Sequence, residues 1–492
     1  MKNIIIPVLA CVLFPCFTGT SYGEQAKAAD RTEVSQYGIT WTFEKPVRSG
    51  QFITGDWWVL GPVNVIKITP APGKLSVSEN NKIAKTRYGE TILVENPDMR
   101  NGSMVADKCG YSEGYDSRIL SYNAALSLKI PYNLRPSESL ISTISNTAVP
   151  VDNFCKNIMV NTEKKCQNVL KAAAVLTCLA VQPPEDAFRP AYTGSEKSIY
   201  REKDLKWDLL PKLKTAGTVP SWEEFERYFQ RPWIENMLEW TQQVLNANEN
   251  QPNYGREHSR LVSLAGLMLC LDVPKEKKRK LALGLIQYGI DISGCAKNGG
   301  QWNWGGGHSS GRKWPVLFAS LMLGEPKIYE LPASAVFQED AQTYYGKGWF
   351  GQTVLWQMVF HHVALTGYEE RRPDEITDKW LKLSEGYRVC CTSSAWVGTA
   401  LAARCMKAIK LWGHDAYFDY VDRWMQQDDP YKSARGKFPR PKQETKAGDD
   451  FVTAMWEANR KDAPAQELSG KNMLWIAKGG ASKGNWVTNP KP

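Results

Sequence analysis

The hydrophobic periodicity of the chain changes near residue 190, and this change constrains the fold more than any other feature. Between about residues 34 and 182, apolar and polar side chains alternate in short runs such as VNVIKIT, SESLISTISN and KAAAVLTCLAV, with glycine and proline between them. Such alternation is typical of β-strands with one buried face. We therefore predict a β-sandwich or sheet module over residues 24–195.

Beyond QPPEDAFRPAYTG the apolar residues recur at helical spacing. Ser221 and Glu224 have capping-box spacing and precede an aromatic helical run. In SRLVSLAGLML the apolar positions follow i, i+3, i+4, i+7 and i+8, as on the buried face of a helix. Further helices are predicted for RPWIENMLEWTQQVLN, KEKKRKLALGLIQYGIDI, and residues 316–323, 352–366, 394–412 and 415–427.

Consecutive apolar helices without intervening strands have to pack on one another. We therefore predict a mainly α protein: an (α/α) toroid or incomplete toroid of helical hairpins over residues 196–492, preceded by the β-rich N-terminal module. The pattern does not separate a toroid from another α-solenoid, but TPR and ankyrin arrays are disfavoured because no tight repeat occurs.

The first 23 residues are typical of a secretory signal peptide. Lys2 precedes an apolar stretch at residues 4–17, which is too short to span a bilayer, and small residues precede Glu24. We expect cleavage there and a periplasmic or secreted protein, with no membrane insertion afterwards. A lipid anchor at Cys11 or Cys16 is disfavoured because apolar residues continue past Cys11.

The formal net charge of +9, or +8 without Lys2, favours an anionic partner. Nucleic acid is not expected, because no dense Lys/Arg cluster accompanies a nucleic-acid-binding motif. An acidic polysaccharide outside the cytoplasm is the natural candidate, although a merely soluble basic surface would have the same charge.

The cysteines carry two predictions. Cys155 and Cys166 flank a polar loop and are the best candidates for a disulfide. Cys270 and Cys405 lie in apolar helical runs and are expected to be buried thiols. Cys390 and Cys391 lack the spacing of a zinc site, and no metal is predicted.

The segment GGQWNWGGGHSSGRKWP, residues 299–315, is the strongest candidate for a binding site. Because proline is tolerated only in the first turn of a helix, Pro315 places a helix start between Arg312 and Trp314. A helix N-terminus favours anions. Arg312 and Lys313 add charge, and His308 lies just before them. Trp302 and Trp304 could stack on sugar rings. The competing interpretation is a glycine-rich connector whose tryptophans pack on the core.

Two further segments supply candidate residues. In QPNYGREH, Tyr254, Arg256 and His258 lie at a helix start, although His258 falls on the apolar stripe and is equally well explained as a core histidine. The segment FQEDAQTYYGKGWFG contributes Tyr344 and Tyr345 on a loop that could move. His361 and His362 point to different helix faces and are interpreted as structural.

These residue types suit β-elimination on a polyuronate. A base removes the proton at C5, an acid protonates the leaving oxygen at C4, and a neutralised carboxylate accommodates the developing charge. Arg312, Lys313 or Asn298 could neutralise the carboxylate. Tyr344 or Tyr345 could act as base and acid if cations lie close, since the unperturbed tyrosine pKa is about 10. Alternatively, His308 would be the base and a tyrosine the acid.

The motifs NYGREHSRLVSLAGLML, GGGHSSGRKWPVLFASLML and FQEDAQTYYG resemble those of (α/α)-toroid polysaccharide lyases, above all polysaccharide lyase family 38, which includes glucuronan and alginate lyases. The resemblance covers roughly residues 220–430. It implies a β-elimination that needs neither metal nor cofactor. It places His308 and Tyr344 at the chemistry and Arg312 near the substrate carboxylate, with Tyr254 and His258 as secondary candidates.

Two other functions fit the same composition. A glycoside hydrolase would use two carboxylates, for which Glu257, Glu339 and Asp340 are available. A non-catalytic glycan-binding protein would use the 19 tryptophans and 20 tyrosines for stacking. The basic glycine-rich segment favours an acidic sugar over a neutral one.

Overall fold

The structure is a computed structural model. The residues that it describes are 25–74, 83–85, 91–93, 99–117, 119, 121–146, 168–238, 242–251, 257–303, 307–358, 367–378, 386–389, 391–426, 446–477, 484–489 and 491.

A curled mixed sheet occupies the N-terminal part of the chain. Its strands are β1 (Ala29–Gln36), β2 (Ile39–Gln51), β3 (Trp57–Leu60), β4 (Val63–Thr69), β9 (Ser103–Val105), β10 (Tyr132–Leu134), β11 (Ser139–Ser145) and β12 (Leu170–Leu179). Seven of them follow the order β10-β4-β2-β3-β12-β11-β9, and β1 pairs with β2. Strands β12 and β3 are parallel, whereas the other pairs are antiparallel.

Both faces of the sheet are buried where β11 and β12 pair. Successive side chains of a strand point to opposite faces. Ile141 and Val175 accordingly join the core that also contains the helices, whereas Leu140 and Leu176 join a second core on the other face. The sheet therefore packs directly on the helical part of the protein.

The remaining elements within the described residues are short strands, ten α-helices and five 3-10 helices of three residues each. The strands form four pairs of two, namely β5 (Gly73–Lys74) with β8 (Met99–Arg100), β6 (Ile83–Lys85) with β7 (Thr91–Leu93), β13 (Thr343–Tyr345) with β14 (Val354–Trp356), and β15 (Met473–Ala477) with β16 (Gly484–Thr488). The helices are α1 (Trp222–Gln230), α2 (Gln242–Leu245), α3 (Glu257–Cys270), α4 (Lys275–Lys297), α5 (Lys313–Leu323), α6 (Gln338–Ala341), α7 (Ser393–Cys405), α8 (Ile409–Trp412), α9 (Asp415–Gln426) and α10 (Asp450–Asn459).

Helices α4 and α5 pack closely because Gly289 faces α5 without a side chain. A β-carbon at Gly289 would lie 2.7 Å from the β-carbon of Ala319 and would also overlap the carbonyl of Pro315. Helix α5 is almost entirely buried, and α4 is buried from Leu281 to Ala296. The turn before α5 is thereby fixed on a rigid helix pair.

A buried charge cluster joins the sheet to α4. The Arg189 guanidinium donates to Asp56 at 2.7 Å and to the two carboxylate oxygens of Asp291 at 2.9 and 2.5 Å. All three side chains are buried. The cluster links the loop before β3, the chain after β12 and α4.

The prediction of a mainly α toroid is wrong. Over the residues that the structure describes, the protein is 34% helical and 23% strand, and it contains the curled mixed sheet as a main structural layer. The sheet is not an appendage, because its residues share one core with the helices. The helical part also carries β13, β14, β15 and β16, which a toroid of helical hairpins does not require.

Individual elements were predicted with mixed success. Strands β4, β11 and β12, the cap at Ser221 and the helices α3, α4, α5 and α9 are confirmed. The helix predicted over residues 394–412 is confirmed as far as Cys405, where α7 ends, and α8 is a separate short helix. In RPWIENMLEWTQQVLN the described helix is limited to α2, and the helix predicted over residues 352–366 begins instead with strand β14. Short apolar runs do not distinguish a buried strand from a helix by periodicity, which explains the error at β14.

Several predictions fall outside the described residues, namely the signal peptide, the Cys155–Cys166 disulfide, and His361 with His362. The prediction for Cys270 and Cys405 is confirmed, because both are buried free thiols.

Candidate functional site

The turn of residues 307–312 brings the chain into α5, and its glycines have definite roles. Gly307 and Gly311 adopt positive φ angles of 80° and 86°, which favour glycine. A β-carbon at Gly311 would lie 2.8 Å from the α-carbon of Ser259 in α3. Two of the six glycines in the segment therefore allow a tight turn to pack against a helix.

The helix start predicted from Pro315 is confirmed, because α5 begins at Lys313 with Arg312 as its cap residue. The turn is covered by α6. The backbone amide of Ser309 donates to Gln338 Oε1 at 3.1 Å, and that of Gly311 approaches Glu339 Oε2 at 3.4 Å. A protein carboxylate thus lies where the sequence suggested a bound anion.

Arg312 is buried and is paired within the protein. Its Nη2 donates to Glu235 Oε1 at 3.0 Å, and its Nη1 donates to the carbonyls of His308 at 2.8 Å and Ser310 at 3.0 Å. The guanidinium is therefore held by Glu235 rather than presented to a substrate carboxylate. Its contacts with two carbonyls make it a brace for the turn.

Glu235 is the centre of this buried network. Besides Arg312, its carboxylate accepts hydrogen bonds from Tyr288 OH at 2.8 Å, Trp302 Nε1 at 3.0 Å and Gln242 Nε2. Sequence reasoning missed Glu235 and Tyr288. The signal was weak: Glu235 stands beside Asn236 and Tyr288 beside Gln287, each within a largely apolar stretch where a buried carboxylate would need partners.

His258 joins the same network. Its Nδ1 lies 3.1 Å from the Ser310 carbonyl and its Nε2 lies 2.6 Å from Tyr288 OH. Since a carbonyl only accepts, Nδ1 carries the proton. Burial, and then the Arg312 charge, lower the pKa of His258 well below its usual value, so the ring is neutral. The interpretation as a core histidine is thus favoured over a catalytic role.

Tyr288 serves two acceptors with one proton. Neutral His258 offers the lone pair of Nε2, and Glu235 offers Oε1, both within 2.8 Å of the hydroxyl oxygen. The single hydroxyl proton can complete a full hydrogen bond to only one of them at a time. Glu235 and His258 therefore compete for the one hydroxyl proton of Tyr288.

Lys313 is also paired inside the protein. Its Nζ donates to Asp340, and it lies 4.9 Å from the Trp412 ring centroid. Asp340 also accepts from Trp412 Nε1 at 2.9 Å. Burial, and then the neighbouring Asp340, raise the pKa of Glu339 to about 7. Lys313, like Arg312, therefore forms an ion pair with a carboxylate of the protein itself.

The structure describes only one of the two tryptophans that were predicted to stack on sugar rings, namely Trp302. Trp302 is buried, stacks on Phe337 with ring centroids 5.4 Å apart, and donates to Glu235. It packs on the core, as in the competing interpretation of this segment as a connector. Trp304 lies outside the described residues.

Tyr344 and Tyr345 lie in β13 and contact carboxylates. Tyr344 OH is 3.4 Å from Glu370 Oε1, and Tyr345 OH donates to Asp419 Oδ2 at 2.7 Å. Burial and then Glu370 raise the pKa of Tyr344, and burial and then Asp419 raise that of Tyr345. A phenolate base would need neighbouring cations that lower its pKa. The pKa values of Tyr344 and Tyr345 are instead raised, so both side chains stay protonated as phenols.

Of the predicted site residues that the structure describes, Asn298 and His308 are half-buried, whereas His258, Trp302, Arg312, Lys313, Tyr344 and Tyr345 are buried. Asn298 caps the end of α4 and donates to the Gly294 carbonyl at 2.8 Å. Tyr254 and Arg256 lie outside the described residues, and Glu257 pairs with Arg260 at 3.3 Å.

A surface cleft of about 1250 Å³ lies at the opposite end of α5 from the turn. Charged residues of both signs line it, among them Glu196, Arg201, Lys297 and Lys327. Asn298 lines an adjoining pocket of about 220 Å³. An 11-residue helix is about 16 Å long, so this cleft is separate from the turn at residues 307–312.

Comparison with known proteins gives no assignment: no protein-family model, curated protein or solved structure matches the chain. Within the described residues, no helix has the length and apolar character needed to cross a membrane.

Proposed function

We propose that the protein is a polysaccharide lyase that cleaves an acidic, uronic-acid-containing polysaccharide by β-elimination, with His308 as its reactive base. The observation that carries this proposal is the position of His308. It is the half-buried member of a turn whose other predicted site residues, Arg312 and Lys313, are buried and paired. The basic net charge of +9 supports an anionic substrate.

In this proposal Arg312 is a positioning residue. It donates to the His308 carbonyl at 2.8 Å and is anchored by Glu235, so it fixes the backbone that carries His308. Small displacements of a reacting group lower catalytic rates strongly, which gives such a brace functional weight. The carboxylate of the substrate is therefore bound by groups other than Arg312.

Tyr344 would serve as an acid rather than a base. Its raised pKa keeps the phenol protonated at neutral pH. A protonated phenol can donate to a leaving oxygen but cannot remove the proton at C5. Assigning the base to His308 and the acid to a tyrosine corresponds to an elimination in which proton and leaving group lie on opposite sides of the sugar.

The test is a screen of alginate, glucuronan and other polyuronates by ultraviolet absorbance, because elimination creates an unsaturated sugar. We expect His308→Ala to lower kcat by about 10²–10⁴-fold, the usual contribution of a general base. Gln301→Ala, a half-buried side chain of the same segment, should retain activity and serves as the matched control. Full activity of a folded His308→Ala variant would remove His308 from the chemistry.

A glycoside hydrolase is the second candidate, favoured by one observation. Glu339, with a pKa of about 7, can hold a proton at neutral pH, and its neighbour Asp340 is paired with Lys313. Such a difference between two carboxylates suits an acid and its partner. The lyase is preferred because its proposed base, His308, is half-buried, whereas both carboxylates of the hydrolase are buried. New reducing ends without ultraviolet absorbance would identify a hydrolase.

A further inference from the structure

Two buried thiols meet where the chain after β9 passes the end of α4. They belong to Cys109 and Cys295, which are both free cysteines. Sγ of Cys109 lies 3.5 Å from the backbone carbonyl of Cys295. A hydrogen bond with the Cys295 thiol, and then burial, raise the pKa of the Cys109 thiol well above its usual value. The two side chains are therefore neighbours in the core, with their thiols in contact.

Backbone hydrogen bonds fix the two cysteines relative to each other. The Cys109 amide donates at 2.9 Å to the carbonyl of Asn298, three residues after Cys295. The amide of the next residue, Gly110, donates to the Asn236 carbonyl at 3.1 Å. Two groups that are held together react as if they were highly concentrated. The fold thus supplies the proximity that a bond between the two sulfur atoms requires.

The other contacts of the two sulfur atoms are weak. Cys109 Sγ lies 3.9 Å from the Glu235 carbonyl. Cys295 Sγ lies 3.2 Å from Thr193 Oγ1 and 3.7 Å from Tyr192 OH. Since sulfur is a weak donor and a weak acceptor, a covalent bond between the two sulfur atoms would cost no strong hydrogen bond.

We propose that Cys109 and Cys295 form a disulfide that joins the chain after β9 to the end of α4. The two residues are 186 positions apart, so no local spacing in the sequence indicates the pair. The cross-link goes beyond the proposed function and does not depend on it, because it rests on the packing of the two thiols alone.

The reaction is a thiol–disulfide exchange with another disulfide as the oxidant. The thiolate of one cysteine attacks the oxidant, one half of which leaves as a thiolate, and the second cysteine then attacks the resulting mixed disulfide. In total the two protein thiols lose two protons and two electrons, and the oxidant is reduced to two thiols. Oxidants of this kind act outside the cytoplasm, where disulfides persist.

The bond has to form while the chain folds or opens locally. The thiolate is the attacking species, and the raised pKa of Cys109 keeps the buried side chain protonated. The folded protein therefore reacts slowly with an oxidant. Burial protects the finished bond from reductants in the same way, so we infer a structural cross-link rather than a reversible switch.

The cross-link would hold the start of the glycine-rich segment. The Cys295 carbonyl accepts hydrogen bonds from the amides of Asn298 at 3.0 Å and Gly300 at 2.8 Å. Strands β10, β11 and β12 and helices α1 to α4 lie between the two cysteines in the chain. A bond that closes so long a loop restricts the unfolded chain and stabilises the folded protein.

The test identifies the partner of each cysteine in the full-length protein. Native protein is incubated with oxidised glutathione in urea just below the unfolding transition, so that buried thiols are exposed transiently. It is then denatured, alkylated with iodoacetamide and digested with trypsin. Residues 109–118 and 281–297 are tryptic peptides with one cysteine each. We expect mass spectrometry to find these two peptides linked, and to find them separated after reduction.

Thermal unfolding gives a second readout. We expect the rise in Tm on oxidation to be roughly 5 °C larger in the wild type than in Cys295→Ala, which also loses the linked peptide. Cys178→Ala is the matched control. It also removes a buried thiol, but one that contacts the Leu134 carbonyl at 3.6 Å, and it should keep the wild-type rise and the linked peptide. Comparing the oxidised with the reduced form of each variant cancels the effect of the substitution on packing.

Three results would overturn the cross-link. The first is recovery of both peptides alkylated or joined to glutathione, because alkylation after denaturation traps every remaining thiol. The second is a bond from Cys109 or Cys295 to a different cysteine. The third is an equal rise in Tm in the wild type and Cys295→Ala, which would show that any linked peptide comes from misfolded molecules.

Discussion

Arg312 and Glu235 form a buried ion pair in which guanidinium Nη2 lies 3.0 Å from carboxylate Oε1, and the two residues are 77 positions apart in the chain. The pair connects the turn before α5 to the segment before α2. Because Arg312 also donates to the carbonyls of His308 and Ser310, the position of the turn depends on Glu235. A residue that looked like a substrate ligand in sequence is in fact a structural brace.

Breaking this pair should be costly. We expect Arg312→Ala and Glu235→Ala each to lower the free energy of unfolding by about 3–5 kcal/mol, because each leaves an uncompensated buried charge. The double variant Arg312→Met with Glu235→Leu should recover part of the loss. Urea unfolding measures the three values.

The control is an ion pair on the surface with a similarly short distance between its charged atoms. Lys410 and Glu467 are 2.6 Å apart and largely exposed. We expect Glu467→Ala to change stability by no more than about 1 kcal/mol. Equal effects of Glu235→Ala and Glu467→Ala would contradict the structural role assigned to Glu235.

Glu339 should make stability fall as pH rises. Burial and Asp340 raise its folded-state pKa to about 7, above the value of about 4.3 expected in an unfolded chain. A group with a raised folded-state pKa contributes stability that is complete below the unfolded pKa and is lost as pH passes the folded pKa. Replacing Glu339 by glutamine should therefore raise the stability of the protein relative to the wild type at high pH.

The measurement compares Glu339→Gln with the wild type between pH 5 and 9. We expect the stability of the variant relative to the wild type to increase by roughly 1–3 kcal/mol over this range. Glu325→Gln, at the opposite end of α5, is the control. A difference that is constant with pH would show that Glu339 does not titrate in this range.

Arg189, which joins the sheet to the helices, should be as important for stability as the Arg312–Glu235 pair. Arg189→Met leaves Asp56 and Asp291 buried without their cation, so we expect a loss of about 3–5 kcal/mol in unfolding free energy. Arg201→Met, which removes a partly exposed partner of Asp186, is the comparison. Similar unfolding midpoints for both variants would contradict the prediction.

Local signals in the sequence predicted the elements that local chemistry specifies. Pro315 located the start of α5 to within a residue, and Ser221 located the cap of α1, where its hydroxyl accepts from the Glu224 amide at 3.3 Å. Alternation identified β4, β11 and β12. Each signal involves residues within one turn or one strand.

Features set by distant contacts were not predictable. Whether Trp302 stacks on a sugar or on Phe337, and whether Arg312 meets a substrate or Glu235, depends on pairs 35 and 77 residues apart. The toroid prediction failed for the same reason. Apolar periodicity shows that a segment has a buried face, but it does not show that the sheet and the helices share one core.

His258 should give stability the opposite pH dependence from Glu339. Burial and the Arg312 charge lower its folded-state pKa well below the unfolded value of about 6.5. Its contribution to stability is therefore present above the unfolded pKa and is lost as pH falls through that value.

In His258→Asn, an amide nitrogen could still donate to the Ser310 carbonyl, but the variant would not titrate. We expect the wild type to lose stability relative to His258→Asn between pH 7 and 5, measured by urea unfolding. His308→Asn changes a histidine of the adjacent turn and controls for the substitution itself. A larger advantage of the wild type at pH 5 than at pH 7 would mean that the buried ring binds a proton, with Tyr288 donating to Glu235 and accepting from the imidazolium.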